Sequence, residues 1–196
     1  MAKTLLIMGA GGHGKAVADA ALLSGEWQHV IFVDDRWPSV TAMAGHPLVA
    51  ASAGLAAVAM QAQGGIAAVG NNTVRERWTC LLEAAGVPLV SVIHPAATVA
   101  TSARIGAGST IMAQAVVGVD AVLGKACIVN AGAIADHDVV LDDFAHLGVG
   151  VALSGGVRVG HHAWLQAGCC AGYGVTVEAL AVHRPGTVLS SPAAGA

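Results

Sequence analysis

Residues 99–135 read VATSARIGAGSTIMAQAVVGVDAVLGKACIVNAGAIA, and in them an apolar residue returns at every sixth position. Continued in steps of six, the column runs Val99, Ile105, Ile111, Val117, Leu123, Val129, Ala135, Leu141, Leu147, Leu153, Val159, Leu165, Ala171 and Val177, and breaks only at His183. Four residues after each member comes a small one: Ala103, Ser109, Ala115, Ala121, Cys127, Ala133, Val139, Ala145, Val151, Val157, Ala163, Cys169, Val175, Ala181 and Thr187. Two columns that stay in phase over such a length form a repeat, and a short fixed period is the mark of a solenoid. A large residue followed by a small one suits a triangular coil, in which each hexad supplies one flat face. The large side chain fills the axis, and the small one lets the chain turn the corner. Such hexads make roughly five coils, stacked to about 24 Å at the ~4.8 Å spacing of paired strands. Each coil is stable only against its neighbours.

Upstream of Pro95 the pattern changes. Short β-type runs alternate with helix-like stretches: Thr4 to Met8, Gly14 to Leu23, His29 to Asp34, Gly65 to Val69, Thr73 to Ala85, then a last strand over Pro88 to Val92. That alternation is the βαβ signature of a small parallel sheet. The expected organisation is therefore an α/β domain over 1–94 and an all-β coil domain over 95–196.

The chain is 55% hydrophobic, yet the excess is Ala, Val and Gly, and the longest uncharged stretch, Trp37 to Val74, is interrupted by His46, Pro47, Gln61, Gln63, Asn71 and Asn72. No segment reads as a bilayer span, and Thr4 to Met8 is too short for a secretory signal, so a cytoplasmic location is expected. A net charge of −3 removes the basic footprint of a nucleic-acid binder. Cys80, Cys127, Cys169 and Cys170 form no C-x-x-C pair, which argues against a zinc or redox motif. They read as reduced apolar fillers, with Cys169 in the inward column as an inert core thiol.

Gly9-Ala-Gly-Gly-His-Gly14 carries G-x-G-x-x-G between a strand and a helix, where backbone N–H groups approach a phosphate. Asp34-Asp35 closes the next strand. A dinucleotide half, a sugar-nucleotide site and a tight turn without a ligand all fit these residues. The small domain offers no second half for a nicotinamide, which favours the sugar nucleotide over NAD.

Taken together, Gly9-Ala-Gly-Gly-His-Gly-Lys15, Phe32-Val-Asp-Asp35, Ala68-Val-Gly-Asn-Asn72 with Arg75, Ile93-His-Pro95 and the hexads resemble the sialic-acid O-acetyltransferase-like, hexapeptide-repeat family. Within it, the resemblance is nearest to bacterial N-acetyltransferases of UDP-4-amino-4,6-dideoxy sugars on the route to di-N-acetylbacillosamine. It fades after about Ala181. It implies a Rossmann-like N-terminal half domain, a left-handed parallel β-helix, a homotrimer and acetyl-CoA as cosubstrate, with no metal. It further implies that Gly11, Gly12, His13, Asp34, Asp35 and Gly70 bind the UDP-sugar, and that His146 and the backbone at Ala167 contact acetyl-CoA.

In Ala135-Asp-His-Asp138 the hexad register turns Ala135 inward and leaves His137 and Asp138 near a corner. A histidine flanked by carboxylates can be held in one tautomer and made more basic, as a general base requires. The plain alternative is a solvated corner histidine. The resemblance favours the base, because related enzymes carry it in a matching acidic-His-acidic stretch, and Asp138 would then orient the imidazole. His13 has two readings, a substrate contact or a helix cap. His161-His162 reads as an exposed corner pair.

Other classes remain to be set against this one. The γ-type carbonic anhydrases use the same solenoid with a three-histidine zinc site, but no second histidine follows His137 at four or five residues and the N-terminal domain would be unexplained. An O-acetyltransferase of a sialic-acid-type sugar, and a trimer that binds a sugar nucleotide without turnover, are the remaining alternatives. The chain departs from the family at its end: Ser190 stands where a Gly-x-Pro-Ala element has its glycine, and Ala194 replaces a basic residue.

Overall fold

The computed structural model describes residues 2–190, which divide after Pro95 into two compact units. In the first, β1 (Thr4–Met8) is followed by α1 (Gly12–Leu23), β2 (His29–Val33), β3 (Ala42–Met43), β4 (His46–Ala50), α2 (Leu55–Val58), β5 (Gly64–Ala67) and α3 (Asn72–Ala84). The sheet order is β3-β4-β2-β1-β5, parallel except for the β3–β4 hairpin. β1 is thus flanked by β2 on one side and β5 on the other. That reversal is the switch point at which α/β sheets open a crevice beyond their strand ends. Leu6, Met8, Ile31, Val33, Trp78 and Leu82 pack one core of this unit.

One expectation needs correction here, and one element is new. The run Pro88 to Val92 is no full strand: Leu89 makes a single bridge to Gly65, and the two-residue strand Val92–Ile93 is not a member of this sheet. Pro88 has no N–H to give a ladder, which shortens any pairing there. The hairpin of β3 and β4 was not foreseen; its turn needs positive φ at Ala44 and Gly45, and the sequence offers only the glycine as a signal.

The second unit is a parallel β-helix. Strands of two residues recur every 18 positions on each of three faces. One face stacks Thr98–Val99, Val116–Val117, Ile134–Ala135, Ala152–Leu153, Cys170–Ala171 and Val188–Leu189. A second stacks Arg104–Ile105 through Thr176–Val177, and a third Thr110–Ile111 through Val182–His183. The second residue of each strand points inward, so Val117, Leu123, Val129, Leu141, Leu147 and Leu153 form buried columns together with the small residues at each corner. Fully burying one such leucine is worth about 1.5–3 kcal/mol. The ends of the columns, Val99, Ile105 and His183, are only partly buried. The short N-terminal α/β region followed by the β-helix is the fold class expected. Among the described residues no helix is long and apolar enough to cross a membrane.

Candidate active site

The loop after β1 lies at the switch point, beside the loops that follow β2 and β5. Its four glycines do different things. Gly9 has φ +107°, and a Cβ there would sit 2.8 Å from the Ala68 carbonyl oxygen; a Cβ at Gly14 would strike the Gly9 carbonyl. These two hold strand and helix together. At Gly11 and Gly12, by contrast, an added Cβ would meet nothing within 4 Å. Their backbone is open at the N-terminus of α1, where a phosphate is favoured by free N–H groups and the helix dipole.

Asp34 is buried and accepts from Ala10 N–H at 2.8 Å, from Arg36 Nε at 2.7 Å and from Arg36 Nη2 at 3.1 Å. Burial works to raise its carboxyl, but the Arg36 pairing and the backbone donors prevail and hold it below the ordinary value. Asp35 Oδ1 accepts from Ser52 N–H at 2.8 Å. Arg75, 1% exposed, donates to the Val69 carbonyl at 3.1 Å, the Gly70 carbonyl at 3.4 Å and Asn72 Oδ1 at 2.9 Å, which fixes the loop after β5. The N-cap of α1 is Gly11, and His13 lies inside the first turn. Burial, then the Arg75 charge, push the His13 imidazole down to about 4, so it is neutral at pH 7.

In the β-helix, His137 and Asp138 form the corner that follows Ile134–Ala135. Asp138 takes the left-handed conformation at φ 59°, and the corner is tied to its neighbours by Asp138 N–H to the Val119 carbonyl and Gly156 N–H to the His137 carbonyl, each 2.9 Å. Asp138 Oδ2 lies 2.8 Å from His137 Nδ1. That hydrogen bond, with the charges of Asp136 and Asp138, raises the imidazole above 6.5, against a smaller lowering by burial. With Nδ1 facing a carboxylate, the basic lone pair falls to Nε2. Next to the corner runs an open groove of about 500 Å³ lined by Asp136, Ala152, Ser154, Cys170 and Gly172.

Residues 4–82 match the family model described as PglD N-terminal domain. The acetyltransferase domain of PglB from Neisseria gonorrhoeae FA1090, solved in complex with acetyl coenzyme A, is 36% identical over 97% of this chain and 94% of its own, with a TM-score of 0.90. The chain belongs to the hexapeptide-repeat sugar N-acetyltransferases. A mutant perosamine N-acetyltransferase from Caulobacter crescentus, in complex with CoA and GDP-perosamine, is 32% identical over 95% of this chain and 90% of its own, with a TM-score of 0.88. WeeI from Acinetobacter baumannii AYE, at 21% identity and a TM-score of 0.71, shares the fold. A comparison with curated protein sequences gave no match.

As an acetyltransferase of this family, the chain carries its other expected residues at separate places. His146 lies on a different face from His137, buried, with its ring stacked at 5.3 Å on that of Trp164. Ala167 is an exposed corner residue. The pair His161-His162 is not the exposed corner expected: His162 is buried. Phe144, one coil earlier at the same corner, meets its ring edge-on at 5.3 Å, and the two imidazoles stack at 4.1 Å. Cys169 is buried in the core as expected, its Sγ 3.1 Å from the Arg184 carbonyl. The Pro-Ala element with Ala194 lies outside the described residues. Sequence reasoning gave no role to Arg36 or Arg75. Arg75 had a signal, since a charged residue on the inner face of α3 has to find partners when buried; Arg36 had none.

Proposed function

We propose that this chain transfers the acetyl group of acetyl-CoA to the amine of a nucleotide-linked 4-amino-4,6-dideoxy sugar, with His137 as general base. The observation that carries the proposal is the 2.8 Å contact between His137 Nδ1 and Asp138 at a solvent-facing corner of the β-helix. In the reaction the sugar amine attacks the thioester carbonyl carbon, and a C–N bond forms as the C–S bond breaks. His137 Nε2 takes the amine proton and can return it to the departing CoA thiolate, so no covalent enzyme intermediate is needed. Asp138 keeps Nδ1 protonated and stabilises the imidazolium.

Gly11 and Gly12 would offer backbone N–H groups to the diphosphate, with His13, Asp34, Asp35 and Gly70 around the nucleotide. Asp34 and Asp35 would do so while holding Ala10 and Ser52, which makes them first of all the frame of that site. UDP is the nucleotide proposed; the GDP-perosamine bound by the Caulobacter relative makes GDP the rival to test. The groove beside Asp136 suits the extended arm of acetyl-CoA, with His146 and Ala167 as its further contacts. Ile134, Val119, Tyr173 and Val188 are 40–73% exposed around the same face, an apolar surface that a homotrimer would cover.

The test is direct assay of acetyl-CoA consumption with UDP- and GDP-linked 4-amino sugars and with CMP-sialic acid as the hydroxyl acceptor. On the accepted substrate, His137→Ala should lower kcat by about 10² to 10⁴ while light scattering still gives a trimeric mass. Wild-type activity should rise with pH through an imidazole pKa above 6.5, because only the neutral ring accepts a proton, and that limb should vanish in the variant. Near-wild-type turnover of His137→Ala would overturn the assignment of the base.

A further inference from the structure

The first position of the His137 corner recurs in each coil as Thr101, Val119, His137, Gly155 and Tyr173. Only one of these is glycine, and its backbone does not require it: among the glycines with positive φ are Gly156 and Gly174, but not Gly155. Its neighbours in the column carry side chains as large as tyrosine on the same corner. Yet Gly155 is buried, and the three heavy atoms nearest to an added Cβ are Cε1, Nε2 and Cδ2 of His137, the last at 3.0 Å. The imidazole lies in the space that a side chain at 155 would fill.

Other glycines of the β-helix are of a different kind. A Cβ at Gly118 would stand 2.6 Å from the Asp136 carbonyl carbon and 2.7 Å from His137 N, and at Gly160 it would stand 2.5 Å from Ala179 N. Those are backbone atoms of the next coil, which cannot give way without breaking the ladder. At Gly155 the obstacle is the tip of one side chain, which can.

We propose that Gly155 is a positioning residue for His137: its missing side chain is what allows the imidazole to lie against the next coil with Nδ1 on Asp138. A methyl group at 155 would drive the ring outward, and a hydrogen bond of 2.8 Å does not survive a displacement of 1 Å or so. The tautomer and the basicity of Nε2 would go with it. The inference rests on His137 being the base only in its effect on turnover; the placement of the ring is tested independently.

The experiment is Gly155→Ala in the full chain, alone and combined with His137→Ala, with three readouts. Turnover should fall by about 10²-fold with each KM changed less than about threefold, the mark of lost positioning rather than lost binding. The His137 imidazole, followed by NMR titration, should drop from its raised pKa toward the ordinary 6.5 or so. The melting temperature should fall when Gly155→Ala is made in the wild type but not when it is added to His137→Ala, where the ring has already gone. An unchanged His137 titration, or an equal loss of melting temperature in both backgrounds, would overturn the proposal, since the glycine would then serve the backbone. A fully active His137→Ala would instead overturn the base, leaving the titration and the melting comparison to decide on Gly155.

Discussion

In the β-helix most positions have an equivalent 18 residues before or after them, whereas in the α/β unit the residues around the glycine loop are each used once. Leu141 lies between Leu123 and Val159 in its stack, and Leu147 between Val129 and Leu165. The two are interchangeable parts. Asp34, Arg36 and Arg75 belong to no such repeat; each closes a hydrogen-bond set of its own. Stability in a repeat spreads along the stack, so the repeat can spend a corner on chemistry. A crevice built from single residues loses its shape when one is removed.

This contrast can be tested at graded cost. The largest effect is expected from Leu147→Ala, which removes a side chain with no exposure from the axis and should cost about 2–5 kcal/mol in denaturant unfolding. Leu141→Ala should agree with it within about 1 kcal/mol, because each leucine has one leucine and one valine as stack neighbours. A wide disagreement would break the equivalence of the coils.

A pH series follows. His13 is held neutral in the folded protein, with its pKa lowered from 6.5 to about 4, so the unfolded chain binds a proton that the folded chain refuses. Stability contributed this way is present above pH 6.5 and is lost as pH falls from there toward 4, by roughly 2 to 3 kcal/mol. Asp34, whose carboxyl is lowered, loses its contribution only below the ordinary carboxylate pKa, so the two windows separate. In urea unfolding between about pH 7.5 and 4.5, wild type should lose more stability toward acid than His13→Gln, by the His13 contribution.

The smallest effects should divide the glycine loop. Gly14→Ala pushes a methyl group into the Gly9 carbonyl and should destabilise by about 1–3 kcal/mol. Gly11→Ala meets open space, so its stability should change by less than about 0.5 kcal/mol while the KM for the sugar nucleotide rises several-fold and that for acetyl-CoA stays put. Equal damage to stability at both positions would mean that the loop is a turn without a ligand.

Much of the fold was legible because its signals are periodic. The six-residue columns give the β-helix and put His137 and Asp138 at a corner with no knowledge of any contact. The strand-glycine-helix succession gives β1, the loop and α1 to within two residues. What escaped were features decided by single encounters: the β3–β4 hairpin, the burial of His162 beneath Phe144, and the engagement of Asp34 by Arg36.

By itself, then, the amino-acid sequence determined which residues face the axis, where the corners fall and which histidine stands between carboxylates, since a period of six acts through neighbours along the chain. Only the tertiary structure decided that two of four loop glycines are spent on packing, that the acidic pair is tied to Ala10 and Ser52, and that Gly155 makes room for the His137 ring. Each of these depends on atoms brought together from distant positions, 17 apart for Asp35 and Ser52 and 24 for Ala10 and Asp34, or from one coil to the next, and such a meeting leaves no period in the sequence to be read.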